Sequence, residues 1–136
     1  MADARPAIWE KFIYLAPFAA FTGAAGLPIG PLWAEADSRA AFLAAVAEVG
    51  AVARASGIDV PANYLQRIEE YGRELPPTTR SSLLIDLAQG KRIEVESLLG
   101  SVVRRGRAAG VPTPRMEALY AVLKPHAAGS GEHGQA

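Results

Sequence analysis

Residues 12–34 carry no charged side chain, and this uncharged segment constrains the fold more than any other feature of the sequence. A segment of that length can cross a membrane, and Arg5 and Lys11 precede it as basic residues precede a signal sequence. Pro17 and two later prolines interrupt the segment, however, and Glu10 lies between the two bases. Because the rest of the chain has amphipathic segments that need an apolar partner, we expect a buried core helix here.

Composition narrows the functions that the chain can have. Its 136 residues fit one compact domain, and 14 basic side chains balance 14 acidic ones, so no net charge attracts nucleic acid. The arginines at 104–107 are therefore expected on a solvated helix face. The absence of cysteine excludes disulfides, thiolate metal sites and cysteine nucleophiles. His126 and His133 lie near the C-terminus, so neither a histidine metal site nor a Ser-His-Asp triad is expected.

Hydrophobic periodicity predicts helices throughout, because no run of strict apolar–polar alternation is bounded by turn residues. We predict an all-α bundle of about six helices within residues 1–125, followed by a mobile tail of small residues at 126–136. The helices are expected over about 6–25, 37–55, 61–75, 80–89, 92–109 and 114–124.

Local signals predict how these helices begin and end. Pro17 is expected to bend or restart the first helix, and "GLPIGPLW" at 26–33 reads as a loop. Asp37 or Ser38 is expected to cap the second helix, and Thr113 the last one. Glycines at 57, 90 and 110 mark helix ends, and a buried face is predicted for Phe42, Val46, Val49 and Ala53.

Five side chains are candidates for chemistry. Lys11 lies among apolar neighbours in "IWEKFIYLAPF", where it could shed hydration and transfer a proton, although its stem could equally cover apolar surface with its head in water. Glu94 falls in the first turn of a predicted helix, where the helix dipole alone explains a carboxylate. Ser81 and Ser82 have the ordinary explanation of helix caps. Asp86, surrounded by leucines, needs a partner if it is buried.

Three sequence blocks together resemble the C-terminal domain of the ketopantoate reductase (2-dehydropantoate 2-reductase) family. The first is "WEKF", which opens a long helix. The second is "SSLLIDLAQGKRIEVESLLG" at 81–100, in which serines, an acid, a glycine, a base and a glutamate agree with the family at fixed spacing. The third is "VVRRGRAAGVPTP" with the helix that follows. The resemblance runs from "AIWEKF" to "LYAVLK", nearly the whole chain.

This resemblance implies a fold and a reaction. The fold is the helical C-terminal domain of the 6-phosphogluconate-dehydrogenase-like class, which closes over an N-terminal Rossmann domain that binds NADPH. The reaction is hydride transfer to the keto carbon of a 2-keto acid, either ketopantoate in pantothenate and coenzyme A biosynthesis or a related compound. The family further implies a cytoplasmic homodimer with neither a membrane nor a nucleic-acid partner.

The resemblance also implies residue roles. Lys11 and Glu94 are the catalytic candidates: the lysine protonates the forming alkoxide, and the glutamate holds the substrate hydroxyl or orients the site. Ser82 touches the substrate carboxylate, and Ser81 and Asp86 are the other substrate-binding candidates. No metal ligand is implied, and NADPH is expected to be held mainly by the N-terminal domain.

The chain departs from the family in two respects. Leu15 and Ala19 stand where family members often place asparagines facing the substrate, which favours a more apolar keto acid or ketone. The chain also lacks the Rossmann half, and no glycine-rich phosphate loop follows a strand. We therefore expect no catalysis by this chain alone. The alternative interpretation is a stand-alone, non-enzymatic helical module for interaction or dimerisation.

Overall fold

The structure is a computed structural model that describes the backbone of residues 5–129 and the side chains of residues 9 and 11–129. Within that part of the chain every regular element is a helix, which confirms the prediction of an all-α fold. The elements are α1 (Arg5–Ala25), α2 (Ile29–Ala34), α3 (Ala36–Ala55), α4 (Tyr64–Glu74), α5 (Ser82–Ala88), a π-turn (Glu96–Gly100), α6 (Ser101–Ala109), α7 (Pro114–Leu123) and a 3₁₀ turn (Lys124–His126).

Helix α1 is the central element of the bundle. It packs against α2, α3, α5, α7 and the π-turn, and Ile13, Ala16 and Ala20 on it are almost fully buried. The helix continues through Pro17 instead of restarting there. A search of the described residues finds no helix with the length and hydropathy needed to span a membrane.

Helix α3 is the main partner of α1, and the buried face predicted for it is confirmed. Phe42, Val46, Val49 and Ala53 have no exposed surface. Phe42 meets the ring of Trp33 edge-on at 5.1 Å between centroids, which joins α3 to α2. The bundle therefore has a single core whose walls are α1 and α3.

The prediction of a loop at 26–33 is wrong for its second half, since α2 occupies Ile29–Ala34. Pro31 lies in the first turn of α2, where a proline removes no intrahelical hydrogen bond. The amide of Gly30 donates to the carbonyl of Pro77 at 2.9 Å, and a β-carbon on Gly30 would lie 2.6 Å from that of Pro77. The proline- and glycine-rich segment therefore forms a short helix, because Gly30 allows close contact with Pro77.

The N-cap of helix α3 lies two residues before the first of the predicted caps. Glu35 is its N-cap, and its Oε2 accepts hydrogen bonds from the amides of Asp37 at 2.8 Å and Ser38 at 3.1 Å. The prediction of Asp37 or Ser38 as the cap is therefore wrong. A glutamate is an uncommon N-cap, which is why the sequence favoured its neighbours.

The helix predicted over 92–109 is present but starts late, because residues 91–94 have no regular structure and helical residues begin at Val95. It then continues without a break through the π-turn at Glu96–Gly100 into α6 at Ser101–Ala109. Glu94 consequently lies before the turn rather than inside the first turn of a helix. Gly110 ends α6 in the left-handed conformation, with φ 71°, as predicted.

The start of α7 depends on a residue of α3. Thr113 occupies the N-cap position but its side chain makes no capping hydrogen bond. Instead Glu48, 8% exposed, accepts hydrogen bonds from the amides of Arg115 and Met116, both at 3.0 Å. The Arg115 guanidinium lies 3.6 Å from the same carboxylate. Thr113 is therefore the N-cap residue, as predicted, but a carboxylate from another helix supplies the capping hydrogen bonds.

The chain after α7 folds back on the loop between α5 and the π-turn. The carbonyl of Ala127 accepts a hydrogen bond from the amide of Ile93 at 3.1 Å, and Gly129 lies against Gly90 and Lys91. This contact holds the beginning of the segment for which a mobile tail was predicted. Residues 130–136 lie outside the described residues.

We expect Glu48→Gln to lower the free energy of unfolding by about 1–3 kcal/mol, measured by urea denaturation. The amide keeps one acceptor oxygen, but its NH₂ group faces the second helix amide and loses both that hydrogen bond and the charge. The control is Glu69→Gln, which removes an exposed ion pair with Arg73 and should change stability by less than about 0.5 kcal/mol. Equal effects of the two substitutions would contradict the capping role of Glu48.

Candidate functional site

Lys11 lies on a face of α1 that the other helices leave partly open. With 3.6 residues per turn, Lys11, Leu15 and Thr22 point within a sector of about 40°. Lys11 is exposed and Leu15 is 43% exposed, whereas Thr22 is fully buried. Along this face the side chains therefore change from an exposed lysine near the start of α1 to a fully buried threonine near its end.

A groove between α1 and α4, with a volume of about 730 Å³, opens beside Lys11. We call it the Lys11 groove. Its lining residues are Lys11, Tyr14, Leu15, Arg67, Ile68, Glu70, Tyr71 and Glu74. One wall is thus the open face of α1, and the other is α4.

Tyr14 forms the floor of the Lys11 groove next to the core. Its ring stacks on Phe18 at 5.2 Å and meets Tyr71 edge-on at 5.0 Å between centroids. Its hydroxyl is buried and has no hydrogen-bond partner among the described residues. Burial, and secondarily the neighbouring Tyr71, raise the pKa of Tyr14 well above its ordinary value. Tyr14 therefore stays a neutral phenol and contributes mainly aromatic surface.

A relay of hydrogen bonds joins the start of α5 to α1. The amide of Leu84 donates to Ser81 Oγ at 3.1 Å, which makes Ser81 the N-cap of α5. Ser81 Oγ and Thr22 Oγ1 are 2.6 Å apart, and Thr22 donates to the carbonyl of Phe18 at 2.6 Å. Because the threonine hydrogen is used on that carbonyl, Ser81 must be the donor to Thr22. Both hydroxyls are buried, so the relay is a structural link.

This relay places the candidate Ser82 on the same side of α1 as Lys11. Thr22 follows Lys11 by eleven residues, which corresponds to about 16 Å along the helix axis. Ser82 is exposed, and Asp86, one turn later in α5, is half-buried. The structure thus brings Lys11 and the beginning of α5 to one side of the bundle but not into direct contact.

Glu94 does not contact Lys11. Its carboxylate is exposed and accepts a hydrogen bond from Ser97 Oγ at 3.0 Å. Neither an ion pair nor a hydrogen bond joins Glu94 to Lys11 in the part of the chain that the structure describes. Ser97 is therefore the residue that orients the Glu94 carboxylate in this structure.

Glu96, two residues later, holds the π-turn in place. Arg104 Nη1 donates to its carboxylate at 2.7 Å, and Tyr120 Oη donates to both oxygens at 2.8 Å. The hydrogen bond from Arg104, followed by that from Tyr120, lowers the pKa of Glu96 below its ordinary value. This cluster joins the π-turn to α6 and α7. Nothing in the local sequence shows that Tyr120 reaches Glu96, so the sequence alone does not identify this cluster.

The described residues contain no group of three or more His, Asp or Glu side chains placed to hold a metal ion. They also contain no strand followed by a glycine-rich loop, the arrangement that binds the phosphates of a dinucleotide. The site contains a lysine beside an open groove and a serine hydroxyl at the start of α5.

Comparison with known proteins shows the family. Residues 3–127 match the family described as "Ketopantoate reductase PanE/ApbA C terminal". The curated 2-dehydropantoate 2-reductase of Halobacterium salinarum is 32% identical over 123 residues, which cover 90% of this chain and 40% of that protein.

Solved structures show the same similarity. A PanE/ApbA family ketopantoate reductase from Ralstonia eutropha JMP134 is 34% identical with a TM-score of 0.84, and the match covers 92% of this chain and 42% of that one. A dimeric ketopantoate reductase from Staphylococcus aureus, 21% identical, has a TM-score of 0.87 over 93% of this chain and 44% of that one, which shows the shared fold. The chain thus spans roughly two-fifths of the length of these relatives.

We expect Thr22→Val to lower the free energy of unfolding by about 1–3 kcal/mol in urea denaturation, because Ser81 loses its buried acceptor. A double-mutant cycle with Ser81→Ala should give a coupling energy of about 1 kcal/mol, since either substitution breaks the same bond. Thr78→Val, at an exposed threonine, is the control and should be nearly neutral. Additive effects of the Thr22 and Ser81 substitutions would show that the relay does not link α1 to α5.

We expect the stabilising effect of Glu96 to depend on pH. Its pKa is lowered in the folded chain, so its contribution is present above the ordinary value of 4.5 and is lost as the pH falls through the lowered value. The difference in melting temperature between the unmodified chain and Glu96→Gln should therefore be constant near neutral pH and shrink below pH 4.5. A difference that grows on acidification would contradict the assigned hydrogen bonds.

Proposed function

This chain belongs to the ketopantoate reductase family, as a C-terminal domain, and we propose that it is the substrate-binding half of an NADPH-dependent reductase of 2-keto acids. The substrate is ketopantoate or a related 2-keto acid. The observation that carries this proposal is the position of Lys11, exposed at the edge of an open groove and on the side of α1 where α5 begins.

The chemistry assigned to Lys11 follows from its charge. NADPH, when bound, supplies the hydride that reduces the keto carbon. As negative charge develops on the carbonyl oxygen, the Lys11 ammonium stabilises it and then donates a proton, which leaves a neutral amine and a 2-hydroxy acid. A charged donor is suited to both steps, and the open groove lets the substrate reach it.

The remaining candidates support this step as parts of the same proposal. Ser82, exposed at the start of α5, binds the substrate carboxylate, while Ser81 fixes that end of α5 through its bond to Thr22. Asp86 lies one turn further along α5 and borders the substrate. Glu94, oriented by Ser97, holds the hydroxyl of the product.

NADPH is proposed to be bound mainly by a Rossmann domain outside this chain. The described residues lack a strand and hence a phosphate-binding loop. The surface that they offer is suited to the side of the bound cofactor that faces the substrate. Leu15, 43% exposed, and Ile85, 41% exposed, lie on the two helices that carry Lys11 and Ser82. A second domain closing over this side would bury both. From the family we propose a cytoplasmic homodimer for the complete enzyme.

The test uses a fusion in which this chain follows the NADPH-binding domain of the Ralstonia eutropha relative. We expect this fusion to oxidise NADPH in the presence of 2-keto acids, whereas the chain alone does not. Lys11→Met should lower kcat at least about 100-fold, because it removes the proton donor without opening a cavity.

Lys124→Met, at an exposed lysine of the 3₁₀ turn, is the matched control and should leave kcat unchanged. Circular dichroism of both variants checks that the helices remain folded. Undiminished turnover by Lys11→Met would overturn the assignment of Lys11. A folded fusion that binds NADPH and reduces no 2-keto acid would favour the non-enzymatic helical module instead.

A further inference from the structure

We propose that residues 127–129 position Glu94 for the reaction by holding the loop that carries it. We call residues 127–129 the strap and residues 90–94 the Glu94 loop. The inference rests on the proposed function, because it takes Glu94 as the group that holds the hydroxyl of the product. It adds two positioning residues, Ala127 and Gly129, that are not among the candidate site residues.

The two ends of the Glu94 loop are held by the neighbouring helical elements. At its start, the amide of Lys91 donates to the carbonyl of Asp86 in α5 at 2.9 Å. At its end, the carbonyl of Glu94 accepts a hydrogen bond from the amide of Leu98 at 3.1 Å. Between these two bonds the loop has no regular structure. The position of Glu94 therefore depends on what holds the middle of the loop.

The strap contacts the middle of the Glu94 loop directly. The amide of Ile93, the residue before Glu94, donates to the carbonyl of Ala127 at 3.1 Å, and the side chain of Ile93 is buried in the core. The strap is in turn attached to the bundle. The amide of Ala127 donates to the carbonyl of Lys124 at 3.0 Å, immediately after the buried Leu123 of α7.

Gly129 determines how closely the strap approaches the Glu94 loop. Its φ is 75°, a left-handed conformation that glycine adopts without strain. A β-carbon at this position would lie 2.5 Å from the carbonyl oxygen of Gly90 and 2.5 Å from the carbonyl carbon of Lys91. Because these are backbone atoms, a larger residue at position 129 forces the strap and the loop apart. Close contact between the two segments therefore requires a glycine here.

The orientation of the Glu94 carboxylate follows the backbone of the loop. The carboxylate is exposed, and Ser97, three residues later, is its hydrogen-bond partner. A partner so near in sequence moves with Glu94 and does not fix it relative to the other helices. The strap, which follows α7, and the buried side chain of Ile93 supply the tertiary contacts that do so.

Displacing the loop should therefore lower activity. A displacement of about 1 Å in a group that positions the substrate can cost about 100-fold in rate. We expect Gly129→Ala to lower the kcat/KM of the fusion enzyme by about 10-fold to 100-fold. The reason is that the added methyl group separates the strap from the loop.

Gly57→Ala is the matched control. Gly57 also has a left-handed backbone, with φ 85°, and its amide donates to the carbonyl three residues earlier, as the amide of Gly129 does. A β-carbon on Gly57 would meet nothing within 4 Å. The control therefore introduces similar backbone strain without the clash, and it should leave kcat/KM unchanged.

A double-mutant cycle distinguishes positioning from a loss of stability. If Gly129 acts through Glu94, Gly129→Ala should cause no further loss in a fusion that already carries Glu94→Gln. A smaller fraction of folded enzyme would instead multiply with the effect of Glu94→Gln. Hydrogen exchange of the Ile93 amide, followed by NMR in this chain, should be faster in Gly129→Ala than in the unmodified chain or in Gly57→Ala.

The outcomes separate the two proposals. If the unmodified fusion folds, binds NADPH and reduces no 2-keto acid, the proposed function fails. If it is active, the role of the strap is overturned when Gly129→Ala matches Gly57→Ala in kcat/KM, or when its effect multiplies with that of Glu94→Gln. A fully active Glu94→Gln, or unchanged exchange of the Ile93 amide in Gly129→Ala, would overturn it as well. In each of these cases the reductase function stands.

Discussion

The burial of α1 is the constraint on which the rest of the structure depends. Its apolar residues point in almost every direction, so a single partner helix could not cover them. α2, α3, α5, α7 and the π-turn all pack against it. The part of its surface left uncovered carries Lys11 and Leu15, and this is where the Lys11 groove opens. The candidate site is therefore the part of the α1 surface that the surrounding elements leave uncovered.

Three polar links then fix the helix ends around that core. Thr22 bonds to Ser81, Glu48 caps α7 from α3, and Glu96 bonds to Tyr120. The partners lie 59, 68 and 24 residues apart in sequence, so each link forms only in the folded chain. The Thr22–Ser81 link also fixes the start of α5, and with it Ser82, relative to the helix that carries Lys11. The two buried links, from Thr22 to Ser81 and from Glu48 to α7, select one arrangement of helices among several that would bury similar apolar area.

Sequence reasoning succeeded where a signal is local. The apolar face of α3 from Phe42 to Ala53 and the glycine that ends α6 follow from periodicity and backbone geometry alone. It failed where a residue distant in sequence determines the local structure. Helix α2 was missed because its proline- and glycine-rich sequence becomes helical against Pro77, and Glu48 was missed because no pattern in α3 shows that it caps α7. The position of α4 opposite Lys11 likewise results from tertiary packing, which no local pattern predicts. Lys11 itself was singled out by family resemblance, and its apolar neighbours alone would not have distinguished it from a surface lysine.

The central claim is that Lys11 meets the reacting carbonyl of the substrate. The most direct measurement is a crystal structure of the fusion enzyme with the oxidised cofactor and an unreactive 2-keto acid analogue bound. The account predicts that Lys11 Nζ lies within hydrogen-bond distance of the oxygen that stands for the keto group, about 2.6–3.2 Å. An analogue bound away from α1, with Lys11 in solvent, would contradict the account.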